Sequence, residues 1–268
     1  MIAGRRVASW ARVPVLLAVF VLAACRVSGE GVSGSSTSRV HSGECVVLLH
    51  GLGRTSGSME ELAEALQQAG YGTANIDYPS RSAGIVELAD RVVPEGIRRC
   101  RNQGARRIHF VTHSMGGILL RFYLGKHGLP ELGRVVMLAP PNRGSEVADA
   151  LRDNALYQWV NGPAGQELGK GGVPARLGPV DYPVGIITGN RAAPWDLWFS
   201  KLIPGEDDGK VGVESARLEG MRDFLVVPYS HTFIMNREEV IDQVLHFLEA
   251  GRFLRPAGRP AASRYPGA

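Results

Sequence analysis

The chain has 268 residues, 44% of them hydrophobic and 21% charged, which supplies enough apolar side chains for one sizeable core and excludes an extended disordered chain. Its formal charge of +4 falls to +1 when residues 1–24 are set aside, because that stretch holds Arg5, Arg6 and Arg12 and no acid. No basic stripe interleaved with aromatics remains to suggest nucleic acid, and no His, Cys and Asp cluster has metal-ligand spacing.

The basic start leads into an apolar run over residues 13–24, which falls short of the roughly 20 residues of a permanent membrane span and suits an export signal. The run ends in Leu22-Ala23-Ala24-Cys25, which resembles the lipobox of bacterial lipoproteins. That resemblance implies cleavage after residue 24, a lipid on Cys25 and an envelope location on a membrane. An ordinary cleaved signal and an uncleaved anchor are the alternatives. Residues 25–43, with Gly29, Gly31, Gly34 and the run Ser35-Ser36-Thr37-Ser38, have the composition of a flexible tether.

A domain is expected over residues 44–251. Apolar, β-rich runs at 45–50, 73–77, 107–112, 134–139, 184–188 and 224–228 alternate with helical patterns at 58–69, 85–101, 115–127, 145–151 and 238–250. That alternation predicts a mostly parallel sheet of about six strands with helices on both faces. Gly70 stops the first helix, and Pro94 should kink or split the second. The stretch 142–182 is rich in Gly and Pro with little periodicity, so it is either a lid or a long irregular excursion. Residues 252–268 read as a disordered tail.

The strand at 107–112 runs into Thr112-His113-Ser114-Met115-Gly116-Gly117 and then directly into a helical pattern. A strand that turns abruptly into a helix holds its corner residue in a strained conformation at the C-terminal edge of the sheet, where open α/β sheets bind ligands. The corner here is Ser114; a plain helix N-cap serine is the bland alternative. The segment resembles the G-x-S-x-G nucleophile elbow, with Thr112 in place of the first glycine.

With His50-Gly51-Leu52-Gly53 after the first strand, the chain resembles the small bacterial lipases and esterases of the α/β-hydrolase superfamily over about residues 45–251. The resemblance implies a three-layer α/β-hydrolase fold and a serine hydrolase acting on acyl esters, either small molecules or lipids, without a cofactor. Its oxyanion hole would be the amides of Leu52 and Met115. The chain order nucleophile, acid, histidine excludes His41, His50, His109 and His113 as the base, and places His50 and His113 in orienting roles. His127 and His246 fall in helices, whereas His231 follows a strand, where a base can reach Ser114. Asp196, Glu206, Asp207 and Asp208 qualify as the acid by order. The family's pattern of Asp, small residue and valine selects Asp208, with Asp207 the close alternative and an Asp-Asp-Gly surface turn the bland one.

In this fold Cys45 starts one strand and Cys100 ends the helix leading to its neighbour, so a disulfide between them is expected in an exported protein, with two buried free thiols the alternative. Leu156, Tyr157, Trp159, Trp195, Leu197, Trp198 and Phe199 could line an acyl pocket or equally pack in the core or lid. An acyltransferase using the same acyl-enzyme, and a binding lipoprotein on an inactive hydrolase scaffold, are the rival functions.

Overall fold

The computed structural model describes residues 41–255. The expected signal segment, Cys25, most of the tether and the chain beyond 255 lie outside these residues. The strands are β1 (Glu44–Leu49), β2 (Gly72–Ile76), β3 (Arg107–His113), β4 (Leu132–Leu138), β5 (Val184–Gly189) and β6 (Asp223–Val227). The α-helices are α1 (Glu60–Gln68), α2 (Ile85–Asn102), α3 (Met115–Lys126), α4 (Glu146–Ala150), α5 (Ala155–Gln166), α6 (Val173–Arg176), α7 (Leu197–Ser200), α8 (Val213–Ala216) and α9 (Glu238–Ala250).

All six strands pair in parallel in the order β2-β1-β3-β4-β5-β6. Successive side chains of β1 go to opposite cores, Cys45, Val47 and Leu49 to one face and Val46 and Leu48 to the other. Residues of α2 and α3 complete the first core, and residues of α1 and α9 complete the second. This is the three-layer architecture expected of a sheet whose strands are apolar on both faces. The chain passes from β1 to β2 on one side and then to β3 on the other, so the loops after β1 and β3 flank the point where the strand order reverses. Ligands of open α/β sheets bind at that crevice.

Local signals explain the helix ends. Glu60 and Glu61 open α1 and Glu238 and Glu239 open α9, where acids favour the positive end of the helix dipole. The backbone turns left-handed at Gly70 just beyond α1 and at Gly251 after α9.

Pro94 does not split the second helix, which runs unbroken over 18 residues. Proline removes the N–H that would bond the carbonyl of Asp90, but Asp90 is exposed, so water can serve that carbonyl. Ile85, Leu88, Ala89, Val92, Val93, Ile97 and Cys100 are buried along the helix's inner face, and that packing outweighs the local defect.

The 142–182 stretch contains α4, α5 and α6. Ser145 Oγ accepts from the Ala148 amide at 3.3 Å and Asn154 Oδ1 from the Tyr157 amide at 3.0 Å, capping α4 and α5. Both ends of the stretch are held by Arg121 of α3, which donates to the Asn142 carbonyl at 2.9 Å and to the Leu177 and Gly178 carbonyls at 3.0 Å.

The ends of the domain extend past the limits expected. His41, placed in the tether, stacks on Tyr71 with ring centroids 3.9 Å apart. Phe253, placed in the tail, is buried against Phe247, and Arg255 makes two hydrogen bonds to the Asp223 carboxylate, at 2.6 and 2.9 Å. Apolar burial and a bidentate ion pair, neither visible as periodicity, carry the fold to at least Arg255.

Cys45 and Cys100 form a disulfide with Cα atoms 5.6 Å apart, tying the start of β1 to the last turn of α2. It closes a segment spanning 55 residues, so its reduction should lower the unfolding free energy by about 2–4 kcal/mol through the entropy regained by the unfolded chain. Urea unfolding of oxidised and reduced protein checks this, and coincident midpoints would reject it.

Candidate active site

The turn from β3 into α3 places Ser114 at φ 52° and ψ −122°, a conformation that costs a non-glycine residue of the order of 1–3 kcal/mol. The Ser114 amide donates to the Leu138 carbonyl at 2.8 Å, which anchors the corner to β4. Gly116 allows the close approach of the first loop: a Cβ there would lie 2.6 Å from the Leu49 carbonyl oxygen and 2.8 Å from that of His50. Gly51 faces the corner from the other side, where a Cβ would meet His113 Nδ1 at 2.9 Å and Ser114 Cβ at 3.1 Å.

His231 Nε2 lies 3.0 Å from Ser114 Oγ, and His231 Nδ1 lies 2.8 Å from Asp208 Oδ2. A carboxylate can only accept, so Nδ1 carries the proton and Nε2 presents its lone pair to the serine hydroxyl. Asp208 is itself fixed: its Oδ1 accepts from the amides of Lys210 at 3.0 Å and Val211 at 2.8 Å. Its carbonyl accepts from the His231 amide at 2.9 Å. Asp208 is fully buried and His231 is 5% exposed, so this chain of hydrogen bonds works in a low dielectric.

Asp207 turns the other way. Its Oδ1 accepts from the Gly209 amide at 2.7 Å and its Oδ2 from Ser200 Oγ at 2.6 Å. Asp196 is buried, and its Oδ2 lies 3.5 Å from Thr232 Oγ1. Glu206 is bonded to Asn190 at 3.1 Å.

The loop after β1 is braced by His50. Its Nδ1 donates to the Gly51 carbonyl at 2.8 Å, and its ring stacks on Tyr78, whose hydroxyl donates to the His50 carbonyl at 2.5 Å. Burial pushes the His50 imidazole below the usual histidine range. Within the loop the Gly53 amide donates to Ser80 Oγ at 2.9 Å and the Arg54 amide to the Gly51 carbonyl at 3.3 Å. The Leu52 amide has no acceptor among the described residues. Met115 is the first residue of α3, where an amide has no carbonyl one turn earlier.

His113 Nε2 donates to the His231 carbonyl at 3.0 Å, and its ring centroid is 4.9 Å from that of His231. Burial, then the neighbouring His231, hold His113 well below the usual range, so it stays neutral and can brace the His231 backbone without adding charge.

Beside Ser114 and His231 opens a pocket of about 270 Å³, with Leu52, Val147, Tyr157, Val160, Leu168 and Phe199 among its walls. Of the aromatic and apolar candidates, Tyr157 and Phe199 therefore line it. Leu156, Trp159, Trp195, Leu197 and Trp198 are neither core nor wall; they are exposed, Trp159 to 82%. Leu156 and Trp159 lie in α5, Trp195 in the turn leading into α7, and Leu197 and Trp198 in α7, the segments that also supply Tyr157, Val160 and Phe199. Arg54 and Lys210 also line the pocket and were not singled out by the motifs. Their positions, one residue past His-Gly-Leu-Gly and two past Asp208, are their visible sequence signal.

The sequence model of the Alpha/beta hydrolase family matches residues 46–263. The chain belongs to the alpha/beta hydrolase family. No curated protein matches it in sequence. Among solved structures, it is similar to a mature Bacillus licheniformis lipase, with 23% identity and a TM-score of 0.57 over 75% of this chain and 88% of that one. A Pyrococcus furiosus esterase gives 19% identity and a TM-score of 0.54 over 77% of this chain and 82% of the other. A Legionella pneumophila phospholipase gives 18% identity and a TM-score of 0.59 over 76% of this chain, which spans 57% of that protein. At these identities the likeness is one of fold, shared by this hydrolase with lipases and esterases.

Proposed function

We propose that this hydrolase cleaves carboxylic esters with apolar acyl chains through an acyl-enzyme on Ser114. The observation that carries the reading is the continuous chain from the strained Ser114 through His231 to the buried Asp208, with contacts of 3.0 and 2.8 Å. His231 Nε2 takes the hydroxyl proton as Ser114 Oγ attacks the carbonyl, and Asp208 holds the imidazole in the needed tautomer and stabilises the imidazolium. The Leu52 and Met115 amides, unused within the described fold, serve the tetrahedral oxyanion. His231 returns its proton to the departing alcohol, and water then attacks the acyl-enzyme by the same route.

The apolar pocket walls favour an ester whose acyl chain is lipid-like or a short hydrocarbon. The same fold serves proteins named lipase, phospholipase and esterase, which agrees with this choice. Labelling with a fluorophosphonate, followed by identification of the modified residue, tests the reading. Modification at Ser114 supports it, and failure of folded protein to react overturns it.

The proposed location rests on the N-terminal sequence alone. Leu22-Ala23-Ala24-Cys25 supports a lipid-anchored envelope protein whose mature chain begins at Cys25. Intact mass of protein from a native membrane fraction should show an acylated Cys25, and a mature species beginning elsewhere would reject it.

A further inference from the structure

The pocket beside Ser114 is lined by two cations, and no carboxylate is among its walls. Arg54 donates through Nη2 to the Thr232 carbonyl at 2.6 Å, and its guanidinium carbon stands 5.7 Å from the centre of the Phe233 ring. Those contacts hold the guanidinium next to the His231 segment, and none of them neutralises it. Lys210 is tied through its own amide to Asp208 Oδ1, while its ammonium has no ion-pair partner among the described residues.

Both charges are close enough to the reacting centre to help depress the His113 imidazole, behind the larger effects of burial and His231. The acids of the adjoining loop are engaged elsewhere. Asp207 accepts from Ser200 and Gly209, Asp208 from His231, and Glu206 from Asn190. Two like charges at one pocket, with low-dielectric walls beside them, focus a positive potential that an anion would relieve.

We propose that Arg54 and Lys210 form an anion-accepting subsite at the pocket, and that the preferred substrate is an acyl ester carrying a phosphate or carboxylate group. This rests on the hydrolase reading and sharpens its substrate class. The apolar walls take the hydrocarbon and the two cations take the anionic head, so the substrate is an acidic amphiphile. A guanidinium suits the planar edge of either anion, and an ammonium serves as a mobile point charge beside it.

Two measurements keep the subsite separable from the hydrolase reading. The first needs no turnover: hexyl phosphate, monohexyl succinate and hexanol are titrated calorimetrically into the protein, and the two anions show which head group is accepted. At least one anion should bind at least about tenfold more tightly than hexanol, and Arg54→Gln and Lys210→Gln should each weaken it roughly tenfold, as expected for a hydrogen bond to a charged group. Added salt should weaken it further. Equal binding of both anions and hexanol overturns the subsite.

The second measurement compares kcat/KM for dihexanoyl phosphatidic acid with that for dihexanoylglycerol. The charged ester should be preferred by roughly tenfold or more, and the preference should collapse toward unity in the double variant, with circular dichroism confirming that it folds. Equal losses on both esters would mean that the cations act on charge developing in the reaction, and would overturn the proposal. Binding of hexyl phosphate with no cleavage of any ester would leave the subsite standing and remove the hydrolase reading instead.

Discussion

Replacing Ser114 by Ala should abolish labelling by a fluorophosphonate and lower turnover of a short-chain aryl ester by roughly 10³- to 10⁶-fold in folded protein. The hydroxyl at the β3–α3 corner is within 3.0 Å of an imidazole nitrogen whose lone pair is free to take its proton. Ser145 also lines the pocket, but its Oγ is committed to the Lys210 carbonyl at 3.2 Å and to capping α4, with no imidazole to activate it. His231→Ala should lose about as much as Ser114→Ala, because residues that act as one unit do not contribute additively. Full activity in folded Ser114→Ala would sink the acyl-enzyme mechanism.

The second large effect distinguishes two adjacent carboxylates. Asp208→Asn should lower turnover by roughly 10³- to 10⁴-fold while leaving the fold intact. An amide at that position can present an N–H to His231 Nδ1, which favours the tautomer that no longer accepts the serine proton. It also cannot stabilise imidazolium as a carboxylate does. Asp207→Asn should change turnover by less than about tenfold, since its carboxylate bonds to Ser200 and Gly209 and approaches neither ring nitrogen of His231. The chain bends at Asp208, and the Asp207 carboxylate is held by Ser200 and Gly209 while that of Asp208 meets the imidazole. Steady-state assays of both variants on the aryl ester, with circular dichroism as the folding control, decide the ranking. A reversed order would transfer the acid's role to Asp207.

The amino-acid sequence by itself determined the layers of the fold and the strand-to-helix corner at which Ser114 stands. Continuous apolar runs on the strands require cover on both faces, and the helical periods between them supply it, so the parallel sheet is legible in the chain itself. Ser114 was legible for a local reason, since a strand that breaks into a helix over Thr112-His113-Ser114-Met115-Gly116 makes its own corner. His231 could be singled out from the chain order that the family resemblance implies and from the strand that precedes it, both of which are written in one dimension.

Tertiary structure decided what depends on direction. Side-chain orientation separates Asp208 from Asp207, and burial of α2 against the sheet keeps that helix whole through Pro94. Which aromatics line the pocket and which stand in solvent depends on how the stretch between β4 and β5 folds back over the site, and its sequence has no regular period to announce that path. Arg54 and Lys210 were illegible for the same reason: each is an ordinary loop cation until the fold brings residues 156 positions apart to one pocket and leaves both without a carboxylate partner among the described residues. Local pattern specifies elements because neighbours in sequence share a backbone geometry, whereas a binding pocket is a sum of long-range packing choices that no single segment encodes.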